Sequence, residues 1–206
     1  MAEAIKIEIF RQKDADALSA ALADPAGRLD AGGGAAMTAA LSAALLKRAA
    51  AVTAERLPEN DRAAYILRNA EILRGYMVRL IDEDVKSRAP LRRAMKEGGE
   101  REIEAARHPA SAIPAEIVNM MLQQLALTRE LCDLCPRESL HWLGESAELS
   151  MAAIRTARLA ILNMSERCSD DTYRFIVRRE NEISLDSAAE LAAEILAAAE
   201  AAVSSC

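Results

Sequence analysis

The chain has 206 residues and carries 26 Lys+Arg against 32 Asp+Glu, a formal charge of −6. That length suits one domain with a real buried core, without disulfide or metal staples. Forty-four residues are alanine while aromatics reach only 3%, a composition that forms helices and excludes an all-β fold.

The expected elements follow in chain order. A short helix over Asp14–Ala23 ends at Asp24-Pro25-Ala26-Gly27. Gly32-Gly33-Gly34 then interrupts the chain before a helix over Ala35–Leu57, which has no charge until Lys47. A helix this small and apolar on every side belongs in the middle of a bundle, where alanine lets neighbours approach closely. Pro58 closes it, and Asn60 or Asp61 caps a helix over Asp61–Met95. After Gly98-Gly99 comes a short helix over Glu100–Arg107, then a loop bracketed by Pro109 and Pro114. Pro114 opens a helix reaching Leu134, and Cys135-Pro136 stops it. Glu145–Met164 forms a further helix, Ser169-Asp170-Asp171 a capped restart, and Ser184–Val203 a final alanine-rich helix. The expectation is all-α: an up-and-down bundle of seven or eight helices, with residues 1–206 as one domain.

Several function classes drop out. The Lys and Arg residues are interspersed with acids and never cluster, which argues against a nucleic-acid partner. The longest uncharged run, Ala31–Leu46, is 16 residues of mostly Ala and Gly, too short and weakly apolar for a membrane span. Met1–Phe10 alternates charged and apolar residues and lacks the apolar stretch of a secretory leader. Four cysteines fit a reducing cytoplasm, so a cytoplasmic location is expected.

The third helix holds the main anomaly. Ile66, Ala70, Leu73, Met77, Leu80, Asp84, Ser87 and Leu91 follow alternating spacings of four and three, a buried stripe with Asp84 inside it. Asp82 points about 200° away from Leu80, toward the polar side. A carboxylate in an apolar seam has its pKa raised, because desolvation disfavours the charged form, and that suits proton transfer near neutral pH. The plainer alternatives are an Asp84 satisfied by a basic partner, or a stripe that simply ends there, since Arg88 is one turn on.

Gly32-Gly33-Gly34 precedes a helix start, where backbone N–H groups favour an anion and glycine permits close approach. A hinge between helices is the alternative, and no P-loop Lys-Ser/Thr follows. Glu145, Leu149, Ala152, Thr156, Ala160 and Asn163 share one helix face, which either lines a pocket or serves close packing. Cys132 and Cys135 have CxxC spacing without a second ligand pair, so no metal site is expected. His108 reads as a surface residue and Trp142 as a core anchor.

The stretch from Leu18 to Leu45, with Asp24-Pro25-Ala26-Gly27 and Gly32-Gly33-Gly34 before an alanine-rich helix, resembles the opening of the cyclodeaminase/cyclohydrolase family. Leu80-Ile81-Asp82-Glu83-Asp84 resembles that family's later acidic motif, and Ile113-Pro114-Ala115-Glu116 its Val-Pro-Leu-Glu helix start. Ala153–Met164 is similar to its small-residue helix ending in Asn-Val. Departures stand at Ala31 and Ala35 around the glycines, at Ser87-Arg88 after the acidic motif, and at His141–Glu145, where Glu145 occupies an expected aspartate.

The resemblance implies a dimerising helical bundle acting on a reduced folate. The reaction is either cyclisation of 5-formiminotetrahydrofolate with ammonia loss or hydrolysis of 5,10-methenyltetrahydrofolate. It implies Asp84 and Glu145 as catalytic acids, and Gly32, Gly33, Gly34, Asp82 and Asn163 as substrate-binding residues. The tetrahydrofolate derivative is the substrate, and no metal or further cofactor is implied. The alternative is a catalytically silent relative that binds a ligand or partner.

Overall fold

A computed structural model describes residues 8–204, so residues 1–7, most of the segment read for a leader, and Cys206 lie outside the described residues. Among the described residues there is no strand. A 3-10 turn (Phe10–Gln12) leads into α1 (Ala15–Ala23), α2 (Ala31–Arg56), α3 (Asp61–Ser87), α4 (Ala89–Glu97), α5 (Glu100–Ala110), α6 (Ala112–Cys132), a second 3-10 turn (Arg137–Ser139), α7 (Leu140–Ser165) and α8 (Asp171–Val203). The helical bundle expected from composition is what forms.

Side-chain caps start the helices where the sequence indicates. Asp14, Asn60 and Asp170 each accept a hydrogen bond from the backbone N–H three residues on. Five expected boundaries differ, one being α7, which begins at Leu140 directly after the second 3-10 turn and not at Glu145. The glycines are the first turn of α2 rather than a break before it, because Asp30 already caps that helix, accepting from Ala31 N at 2.6 Å. The helix expected over Asp61–Met95 breaks at Arg88, because Pro90 lacks an N–H and its ring disfavours a continuous helix. Pro109 does not open a loop: it is tolerated in the last turn of α5, and only Ser111 separates α5 from α6. The restart and the final helix are one helix, α8, of 33 residues, with nothing in the intervening sequence to stop it.

α2 sits at the centre, flanked by α3 and α7, with α6 behind it and α8 packed on α6 and α7. By length and composition α2 could cross a bilayer, yet alanines 35, 36, 39, 43, 49 and 50 along it are sealed inside the bundle. Polar contacts fix the register. Ser42 Oγ donates to the Ser146 carbonyl (2.7 Å), Ser146 Oγ donates to the Ser42 carbonyl (3.0 Å), and Gln124 Nε2 from α6 donates to Ser42 Oγ (2.5 Å). All three side chains are fully buried, so a slipped register would leave them unpaired. Arg56 of α2 pairs with Glu138 just before α7, so α2 and α7 run antiparallel. The α4–α5 hairpin carries its own small apolar cluster, Leu91, Ala94, Ala106 and Ala110, which leans on Met164 of α7.

Candidate active site

The α3 stripe is buried as its spacing predicts, from Ile66 to Leu80, and Asp84 within it has no exposed surface. Its carboxylate packs on the first turn of α2. Gly33 N donates to Oδ2 at 3.1 Å, while Oδ1 is buried without a hydrogen-bond partner among the described residues. Desolvation by burial is the main cause that pushes the Asp84 carboxyl up to about 6, and the charge of Asp30 adds to it. The Arg88 and Arg92 charges and the Gly33 amide pull the other way. Arg88, one turn on, pairs not with Asp84 but with Asp30 Oδ2, at 2.7 Å. That ion pair joins the cap of α2 to the end of α3, close enough for both charges to act on Asp84.

The glycines have a different reason from the one expected. A Cβ on Gly32 would overlap the Asp84 carboxyl, reaching 2.8 Å from Oδ2, and a Cβ on Gly33 would run into Leu29. Their bare faces admit protein side chains, with Gly32 making room for the carboxyl itself. The Gly33 amide, one of the unpaired donors of a helix start, is spent on Asp84.

Asp82 is a correction. It does not face solvent, because the turn at Phe10–Gln12 covers that side of α3. Its Oδ1 accepts from Phe10 N at 2.7 Å, and its Oδ2 pairs with Arg11 at 3.4 Å. Sequence spacing alone could not show a covering segment some seventy residues upstream.

The remaining candidates are not gathered here. Asn163 lies at the Asp84 end of the antiparallel pair but is exposed, and Glu145 is exposed at a different level. Ser42, which bonds Glu145's neighbour Ser146, is about 15 Å along α2 from Gly32 at 1.5 Å per residue. On the α7 face from Glu145 to Asn163 only Ala160 is buried, and most of it faces outward. Trp142 packs against the core from its edge, half-buried, with the Arg48 guanidinium 4.3 Å from its ring. His108 is exposed as expected and stacks on Tyr173. Burial pushes the Cys132 thiol up to about 11 and raises Cys135 too, the opposite of a reactive pair.

Sequence reasoning missed the cations around this end of the bundle. Arg28, Arg88 and Arg92 converge from the α1–α2 connection, the α3–α4 junction and α4, and only the folded chain brings them together.

In comparison with known proteins, the structure is similar to the crystal structure of formiminotetrahydrofolate cyclodeaminase from Thermotoga maritima. The TM-score is 0.83 with 18% sequence identity, covering 93% of this chain and 98% of that one. At that identity the likeness establishes the fold. None of the curated proteins compared with the chain is significantly similar in sequence. Residues 15–182 match the family described as formiminotransferase-cyclodeaminase, a span running from α1 through Asp84 into α8. The chain belongs to that family.

Proposed function

We propose that the protein is a folate one-carbon enzyme that closes 5-formiminotetrahydrofolate to the 5,10-methenyl cation with loss of ammonia, with Asp84 as the proton carrier. The observation that carries this reading is the Asp84 carboxyl, buried with one oxygen unpartnered and its pKa raised to about 6.

In the protonated substrate, N10 attacks the formimino carbon and forms a tetrahedral centre bonded to N5, N10 and the amine nitrogen. N10 must then lose a proton and the amine must gain one before it leaves as ammonia. A carboxyl poised near neutrality does both in turn, and its negative charge steadies the cationic centre. Charge balances, since one amidinium cation becomes one methenyl cation plus neutral ammonia. Hydrolysis of the methenyl cation would use the same group on a water molecule. We assign no further cofactor, because both proton transfers run through one side chain. Because Asp84 has no exposed surface, the substrate reaches it only when the packing around it opens.

The same reading includes a cytoplasmic homodimer. Ser42 faces α7, and Ser146 and Ser150 face α2; from that reference, Leu41 and Leu45 of α2 turn to the same side as Leu149, Ala152 and Leu159 of α7. Leu41 is 56% and Leu159 64% exposed. Arg48, Glu145, Glu148 and Arg155 supply both charge signs beside this apolar face, which suits a two-fold self-pairing.

The test follows the methenyl chromophore with each substrate. Wild type is expected to form it from the formimino compound, and Asp84→Asn to lose roughly 10²–10⁴-fold in rate while remaining folded. An Asp84→Asn variant with full activity overturns the assignment. No turnover and no folate-dependent thermal shift in wild type would instead mark a catalytically silent member.

A further inference from the structure

Beside the Asp84 region, a cavity of about 390 Å³ opens between the Phe10–Gln12 turn, the end of α3 and the start of α4. Its charged lining is Arg11, Arg28, Lys86 and Arg92 against Glu8 and Asp82. The two carboxylates are already engaged. Asp82 pairs with Arg11 at 3.4 Å, and Glu8 is shared between Lys13 at 2.9 Å and Arg28 at 3.4 Å. Lys86 turns to Glu83, outside the cavity lining.

Arg92 is the outlier. Among the described residues no carboxylate lies within ion-pair distance of it. Its guanidinium donates only to backbone carbonyls, Val85 O at 2.5 Å and Arg28 O at 3.4 Å. Partial burial, with Arg88 and Arg28 close by, disfavours its charge and lowers its pKa. A half-buried cation among cations, at the edge of a cavity, is completed by an anion from outside.

We propose that this cavity is an oxyanion subsite in which Arg92, Arg28 and Lys86 hold a carboxylate of an elongated ligand. The cavity lines the Asp82 side of α3, while Asp84 lies on the side against α2. A molecule touching both spans about one helix width, roughly 10 Å. A reduced folate has that form, with the reacting ring at one end and the glutamate carboxylates at the other. Naming that source rests on the folate reading; the anion subsite itself does not.

Four probes separate the possibilities: tetrahydrofolate, tetrahydropteroate (the same molecule without glutamate), glutarate and inorganic phosphate, each titrated calorimetrically. Arg92→Gln should weaken tetrahydrofolate about tenfold and leave tetrahydropteroate unchanged. Saturable glutarate binding in wild type should disappear in the variant. Lys86→Gln, at a side chain whose one ion pair is on the surface, should weaken tetrahydrofolate in the same sense without disturbing the fold.

If glutarate binds through Arg92 while neither pteridine binds, the subsite stands and the folate reading falls. If tetrahydrofolate binds but is indifferent to Arg92, Lys86 and the presence of glutamate, the subsite falls and the folate reading stands. Phosphate binding through Arg92 with tetrahydrofolate unaffected upholds an anion site but overturns the substrate's glutamate as its source. No saturable binding of glutarate or phosphate, together with unchanged tetrahydrofolate affinity, removes the proposal.

Discussion

Asp84 and Gly33 meet across 51 positions of sequence through a hydrogen bond of 3.1 Å from the backbone amide to Oδ2. The contact exists because the first turn of α2 carries no side chains on the face that receives the carboxyl. The three glycines are therefore unequal. Gly32→Ala places a methyl inside the buried Asp84 carboxyl and should cost about 1–3 kcal/mol. Gly33→Ala meets the tip of Leu29, a side chain that can turn aside, and should cost less. Gly34→Ala finds only ordinary contact with Leu22, 3.4 Å away, and should stabilise by up to ~1 kcal/mol through helix propensity. Thermal melts should rank Gly34→Ala above wild type, then Gly33→Ala, then Gly32→Ala. An equal response at the three sites would dismiss the packing explanation.

The raised Asp84 pKa also sets a pH dependence. Below about pH 3.8 the group is protonated in both folded and unfolded chains. Between there and about 6 the unfolded chain releases the proton while the folded one keeps it, so stability falls as pH rises. A shift of this size is worth about 3 kcal/mol. Asn cannot ionise. The stability of Asp84→Asn relative to wild type should therefore stay level below pH 4, rise by up to about 3 kcal/mol by pH 7, and level off above. Urea titrations at pH 4 and pH 7.5 measure it. On the catalytic side, kcat/KM of wild type should climb with pH through about 6 to a plateau.

Asp84 was legible in the sequence because helical periodicity acts within a single segment: a charge in a stripe otherwise apolar from Ile66 to Leu80 stands out. The glycine run was visible too, but its partner was not, since which side chain fills a bare helix face depends on how α2 and α3 pack. Asp82 was misread for the same reason, as its neighbour is the distant Phe10. The helix boundary at Arg88 could have been found, since Pro90 sits in the sequence as a breaker. The convergence of Arg28, Arg88 and Arg92 leaves no local pattern and emerges only from tertiary structure.

Two aspartates two residues apart should separate cleanly in mutagenesis. Asp82→Ala leaves the Phe10 amide without its acceptor beside a nearly buried ring, a loss of about 1–3 kcal/mol. Asp82→Asn keeps an acceptor oxygen and should recover part of that loss. Hydrogen exchange should speed up at the Phe10 and Arg11 amides in Asp82→Ala and not in Asp84→Asn. Unchanged exchange there would mean that Asp82 does not anchor the N-terminal turn.

The exposed α2–α7 face predicts the assembly. Leu41 and Leu159 contribute little to the core, so replacing either with Glu should leave the folding stability of the isolated chain nearly unchanged, within about 0.5 kcal/mol. On a two-fold interface each substitution enters twice and sets a charge in an apolar contact on both sides. Light scattering coupled to size-exclusion chromatography should find wild type as a dimer and Leu159→Glu as a monomer at the same micromolar concentration. A monomeric wild type would leave this face open to solvent and end the dimer inference. A dimer that survives both Leu41→Glu and Leu159→Glu would place the contact on another surface. Turnover measured on the monomer then tells whether pairing matters for chemistry: Asp84, Gly32 and Gly33 all come from one chain, so a folded monomer should keep the elevated Asp84 pKa.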